Sequence, residues 1–194
     1  MEIKTFAAMA CAAALCICGT TACSDDDENE TTDVREQAIG EYTSSTTIYL
    51  ENDGLLYDFS SYMPKEDLGT STVTKSGDNG ICLDVDGDKI TISKIKAANN
   101  GFVGDIEDNF SFDGYKVTGF KGAGLTATGS TTEKYDAMYL TASKTLSIYL
   151  SASYNEMVND DEAAAIAANA LGVSTDEFDS SSVNVVILIT SVKK

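Results

Sequence analysis

Residues 80–93 read GICLDVDGDKITIS, and their pattern decides the fold. Ile81, Leu83 and Val85 alternate with other residues, Asp86-Gly87 interrupts them, and Ile90 and Ile92 resume the alternation. A period of two places one apolar row on one face of a strand. Asp-Gly between two such runs is the composition of a type I′ turn, whose central residues both need positive φ. The stretch is therefore a tight β-hairpin with one apolar face.

The same punctuation recurs on both sides of it. Residues 49–59, YLENDGLLYDF, carry Asp53-Gly54, and residues 110–120, FSFDGYKVTGF, carry Asp113-Gly114. Residues 72–85, TVTKSGDNGICLDV, turn through Asn79-Gly80. Leu146, Ile148 and Leu150 repeat the apolar row, with Thr145, Ser147 and Tyr149 on the opposite face. Gly119, Gly122, Gly124 and Gly129 cluster in KVTGFKGAGLTATG, where strands of a small barrel bend or bulge. The expected fold class is mainly β, an antiparallel up-and-down barrel of about 8–10 strands, because closure removes the edges an open sheet exposes.

One segment departs from this period. Asn159 is a candidate cap with Glu162 three residues on, and Gly172 a candidate stop. Between them Ala163, Ile166, Ala167, Ala170 and Leu171 form a narrow stripe at helical spacing. Ser174 with Glu177, and Val173 with Phe178, mark a second short helical turn. The final run, residues 183–192, VNVVILITSV, is apolar on both faces. Its outer face needs a cover, and the short helical insertion before it is the expected one.

The N-terminus is of another kind. Lys4 precedes an apolar run from Phe6 to Cys18, the length of a signal-peptide core and too short to span a bilayer. Gly19, Thr20, Thr21 and Ala22 are small, and Cys23 follows them. Ser24, Asp25, Asp26, Asp27 and Glu28 come next, and residues 24–39 are poor in large apolar side chains, the composition of a flexible tether. Three parts result: a signal segment over 1–22, Cys23 with an acidic tether over 23–39, and one domain over 40–194.

The chain carries a net charge of −18, and the 23 acids and 11 bases from Gly40 onward leave −12 in the body. That field repels nucleic-acid phosphates and anionic membrane surfaces. The chain has no histidine, so Ser-His-Asp and Cys-His catalysis are excluded within it. Of five cysteines only Cys82 lies in the body, which rules out an internal disulfide there and leaves no zinc spacing. Cys82 sits in the alternating run of residues 80–85 and reads as a small packed residue.

Other chemical candidates meet simpler explanations. Asp84, Asp86 and Asp88 resemble part of a calcium loop, but Ile95 stands where an EF-hand needs its last carboxylate, and a hairpin turn accounts for the acids. Asp105, Glu107, Asp108 and Asp113 contain enough carboxylates for glycoside hydrolysis, yet acids this dense are ordinary in so acidic a chain. Nothing calls for a metal or cofactor, and no catalytic residue is assigned. Tyrosine offers apolar area with a polar tip, which makes Tyr49, Tyr115, Tyr139 and Tyr149 the candidate ligand-binding residues at a barrel mouth.

Two resemblances follow from these residues. Small residues before Cys23, with Ser24-Asp25-Asp26-Asp27-Glu28 after it, resemble the lipobox and surface-export signal of Bacteroidota-type lipoproteins. That resemblance implies a membrane partner through acyl chains on Cys23, and display on the outer leaflet of the outer membrane. Gly40-x-Tyr42 and the hairpin meander, with residues 101–132, resemble the calycin-like barrels of such lipoproteins, related in shape to lipocalins. Lipocalins carry Gly-x-Trp at the first strand and an arginine in the last; this chain has neither tryptophan nor that arginine. The resemblance implies a ligand-holding interior and no known reaction.

Three function classes follow. The first is a non-enzymatic surface lipoprotein binding a small apolar or amphipathic ligand, or a protein partner. The second is a structural or adhesive accessory that engages glycan or protein through its outer surface, and the third is a carboxylate-dependent glycoside hydrolase. A roomy interior favours the first, and one packed solid by Ile90, Ile92, Leu146 and Ile148 favours the second.

Overall fold

The computed structural model describes residues 33–98, 100–106, 110–121, 123–124, 134–158 and 160–194, with 123–124 described as backbone only. The signal segment, Cys23, the acidic run Ser24 to Glu28, Glu107, Asp108, Gly122, Gly129 and Asn159 lie outside the described residues.

Thirteen strands are present among them: β1 (Gly40–Asn52), β2 (Leu55–Asp58), β3 (Glu66–Ser76), β4 (Gly80–Val85), β5 (Asp88–Ala98), β6 (Gly101–Ile106), β7 (Phe110–Phe112), β8 (Tyr115–Gly119), β9 (Ala123–Gly124), β10 (Lys134–Tyr135), β11 (Ala137–Leu140), β12 (Thr145–Ser153) and β13 (Asn184–Lys193). Two helices, α1 (Tyr154–Met157) and α2 (Asp161–Leu171), separate β12 from β13. Eight strands close a barrel in the order β1-β3-β4-β5-β6-β11-β12-β13, with β13 returning to β1. Every neighbouring pair is antiparallel. β2 pairs with the far end of β1, and the β7–β8 hairpin hangs from β12 through Thr118 and Gly119.

The turns form for the reason their composition gives. Asp53, Asp86 and Asp113 have φ of 52°, 51° and 49°, and the glycines after them 79°, 96° and 81°. A short polar side chain and a missing one are what that backbone tolerates. Alternation then sorts the faces. Tyr42, Ser44, Thr46, Ile48 and Leu50 of β1 point inward, as do Ile81, Leu83 and Val85 of β4. Ile90, Ile92, Leu146 and Ile148 are fully buried among them.

Residues 33–38 pack as part of this body. A 3-10 turn, Val34–Gln37, seals the end of the barrel where β1 begins, and Ala38 is fully buried. Tyr42 Oη donates to Ala38 O at 2.5 Å, Tyr139 Oη to Gln37 O at 2.8 Å and Lys193 Nζ to Gln37 O at 2.9 Å. Lys193 thus ties the last strand to the segment that leads into the first. Arg35 grips Asp33 through Nε and Nη2 while its Nη1 reaches Gly77 O at 3.2 Å, and Lys75 pairs with Asp33 and Glu36. The Arg35 guanidinium holds the Asp33 carboxyl well below the usual carboxylate range.

The helical insertion differs from expectation in two ways. Asp160 is the N-cap of α2, its side chain accepting from Ala163 N at 2.6 Å, and Gly172 ends the helix at φ 75° as composition suggests. The helix does not cover the outer face of β13. It buries Ala163 and Ala167 in the core and lies against β2, beside the aromatic group of Phe59, Tyr154 and Phe178. Val186 and Leu188, on the outer face of β13, are flanked in register by Tyr49 and Tyr149 instead.

Buried phenols give the fold an alkaline limit. Burial pushes Tyr154 up to about 12, and Tyr42 and Tyr139 rise from the same cause. The unfolded chain releases these protons near the ordinary value of 10, so their contribution is intact below that pH and is lost as pH climbs to about 12. Tyrosinate absorbance and circular dichroism should therefore change together in one cooperative step in that window. Smooth ionisation of all nine tyrosines near pH 10 with the fold intact would contradict it.

Candidate functional site

At the end opposite the sealed one the barrel holds a cup of about 910 Å³. Its floor comes from three strands remote in sequence: Thr46 and Ile48 of β1, Val85 of β4 and Ile187 of β13. All four are 6% exposed or less. Below them the interior is filled by fully buried side chains such as Leu83, Ile90, Ile148 and Phe102, so the cup is the upper part of a barrel that is otherwise packed.

The walls are attached to the barrel but are not part of it. The β7–β8 hairpin contributes Phe112, Asp113 and Tyr115, and its tip is held to the β4–β5 turn by Asp113 N donating to Asp88 Oδ2 at 2.7 Å. α1 adds Met157, and the connection from β2 to β3 adds Tyr62 and Met63. Tyr62 Oη donates to the Asp160 carboxylate that also caps α2. Both bonds stabilise the charged form, so the Asp160 pKa is lowered and that of Tyr62 raised. One carboxylate therefore starts the helix and fixes an aromatic at the mouth.

The rim is acidic. Glu66, Asp67, Asp86, Asp88 and Asp113 line it, against a single lysine, Lys65. Asp67 Oδ1 accepts from Gly69 N at 2.9 Å. The floor contains one hydroxyl among apolar atoms. Thr46 is 5% exposed, lines the cup, and hydrogen-bonds through its side chain to no other described residue.

The sequence-derived candidates divide. Tyr115 lines the cup. Tyr139 is buried at the sealed end, engaged with Gln37 O, and Tyr49 and Tyr149 lie on the outer face beside β13, so these three are corrected as mouth residues. Their rows were alternating, but odd positions of β1 and β12 face outward once the barrel closes. Asp84 turns back to accept from Gly87 N at 3.1 Å, as a hairpin acid does. Asp105 pairs with Lys121 at 3.2 Å, whereas Asp113 stands at the cup rim. Among the described residues no group of three or more acids or cysteines is placed to hold a metal ion. Cys82 faces outward from β4, half-buried, and burial raises its thiol pKa.

Sequence reasoning missed the floor. Thr46, Ile48, Val85 and Ile187 carry no motif, and the only available signal was the change along the inward row of β1 from hydroxyl to aliphatic residues. No protein-family model matches this chain, and no curated protein or solved structure matches it.

Proposed function

We propose that the protein is a non-enzymatic surface lipoprotein of the Bacteroidota type, anchored through acyl chains on Cys23, whose calycin-like barrel binds a small amphipathic ligand in its cup. The observation that carries the binding half is the cup itself. Its volume of about 910 Å³ falls within the span of small-molecule sites, and it joins an apolar floor to a polar rim as such sites do. The anchoring half rests on Cys23 and the acids after it. Multiple acyl chains supply about 0.8 kcal/mol per buried methylene, enough for a durable anchor.

A second reading has its own observation. Ile90, Ile92, Leu146 and Ile148 are packed solid, which favours an accessory that works through its outer surface on glycan or protein.

Mass spectrometry of protein from its own host tests both halves. Native spectra of residues 24–194, which contain the whole compact unit, should carry a stoichiometric small molecule released by organic extraction. A bare mass under gentle conditions moves the weight to the outer-surface reading. The N-terminal peptide of the full chain should carry acyl chains on Cys23, and an unmodified cysteine sinks the anchor.

A further inference from the structure

We propose that the cup selects a cationic amphiphile whose buried end bears a hydrogen-bonding oxygen or nitrogen. This rests on the cup being a ligand site and adds the chemistry of the ligand. Ile48, Val85, Phe112 and Ile187 offer an apolar bed, each buried to more than nine-tenths. Thr46 lies one step nearer the sealed end than Ile48 on the inward row of β1. Its hydroxyl is the polar group of that floor and is paired with no other described side chain or carbonyl. That hydroxyl still meets solvent in the cup, and a ligand oxygen or nitrogen that reaches the floor can take the place of the water bound there.

The outer end follows from charge. Five carboxylates and one ammonium of described residues line the cup, and the side chains of Glu66, Asp86 and Asp113 on the rim accept no hydrogen bond from any other described residue. Tyr62 and Tyr115 present rings beside them. Carboxylates and aromatic faces both attract an ammonium and disfavour an anion. A molecule lying on the apolar bed thus has its polar atom at Thr46 and its positive group at the rim.

The test measures binding of four decyl-chain probes to residues 24–194 by calorimetry below their micelle concentrations. Decyltrimethylammonium should bind about tenfold tighter than decyl glucoside, with decyl sulfate weakest. Decyltrimethylammonium with a terminal hydroxyl on the chain should bind about threefold tighter than its plain counterpart, and Thr46→Val should erase that difference. Asp86→Asn with Asp113→Asn should remove the preference for the cation while keeping both turns, since asparagine accepts their positive φ. Ile48→Trp should abolish binding of every probe by filling the floor.

Each contrary result overturns something definite. Equal binding of cation and glucoside, both lost in Ile48→Trp, rejects the charge preference and leaves the cup as a site. An equal loss from the remote pair Glu41→Gln and Asp53→Asn assigns the attraction to general acidity and rejects the rim. A terminal hydroxyl that brings no gain rejects the role of Thr46. Failure of all four probes to bind rejects the ligand site itself.

Discussion

Gly101→Ala is expected to cost more than about 3 kcal/mol and to leave little folded protein. Gly101 opens β6 at φ 148°, a region that only glycine enters cheaply. It lies opposite Leu140 on β11, and a β-carbon placed on it collides with the carbonyl group of Tyr139. The obstruction is backbone within the barrel wall, so no side-chain rotation relieves it. Gly54→Ala is the comparison. Gly54 also has positive φ, 79°, but nothing lies within 4 Å of its added carbon. The expected cost there is about 1–2 kcal/mol, the ordinary left-handed penalty. Urea denaturation of the two variants measures the difference, and equal midpoints would mean that β6 and β11 do not meet in this register.

Ser44→Ala is expected to destabilise by roughly 2–4 kcal/mol, far more than a surface serine. Ser71, Ser44 and Ser191 form a string across the neighbouring strands β3, β1 and β13, and each is 1% exposed or less. Ser44 Oγ is the middle of it, 2.5 Å from Ser71 Oγ and 2.6 Å from Ser191 Oγ. Removing the middle hydroxyl leaves two buried hydroxyls without partners, while Ser191→Ala leaves the Ser44–Ser71 bond in place and should cost about 1 kcal/mol. Replacing all three by alanine removes every stranded group. The triple variant should therefore be less destabilised than Ser44→Ala alone, a sign of non-additivity that independent sites do not give. Three separate costs that simply add would refute the string.

How much of this was legible depended on the range of the interaction involved. The Asp-Gly hairpins could be read directly, because the φ of Asp86 or Asp113 is decided by that residue's own sterics. Gly172 as a helix stop was legible for the same reason. The cap of α2 was displaced from Asn159 to Asp160, since several neighbouring polar residues can serve and the packing of Ala163 and Ala167 chooses between them. Residues 33–38 read as tether because they hold few large apolar groups, yet Gln37 and Ala38 are held through their carbonyls by Tyr42, Tyr139 and Lys193. Those partners come from both ends and the middle of the chain, and no local pattern announces them. Tyr49 and Tyr149 were put at the mouth for their chemistry, although alternation already set Tyr149 opposite the apolar row of Leu146, Ile148 and Leu150, and both lie on the outer face.

By itself the sequence determined the strand period, the tight turns, the acidic charge, the absence of histidine chemistry and the antiparallel meander that closes as a barrel. These depend on steric and solvation properties of residues within a few positions of one another. Only the tertiary structure decided which inward rows pack solid and which stop short to leave a cup. A cavity is the difference between the volume a barrel encloses and the volume its side chains fill, and here the balance is struck by Thr46, Ile48, Val85 and Ile187 from three separated strands. Their meeting depends on register, where a slip of one residue turns every side chain to the other face.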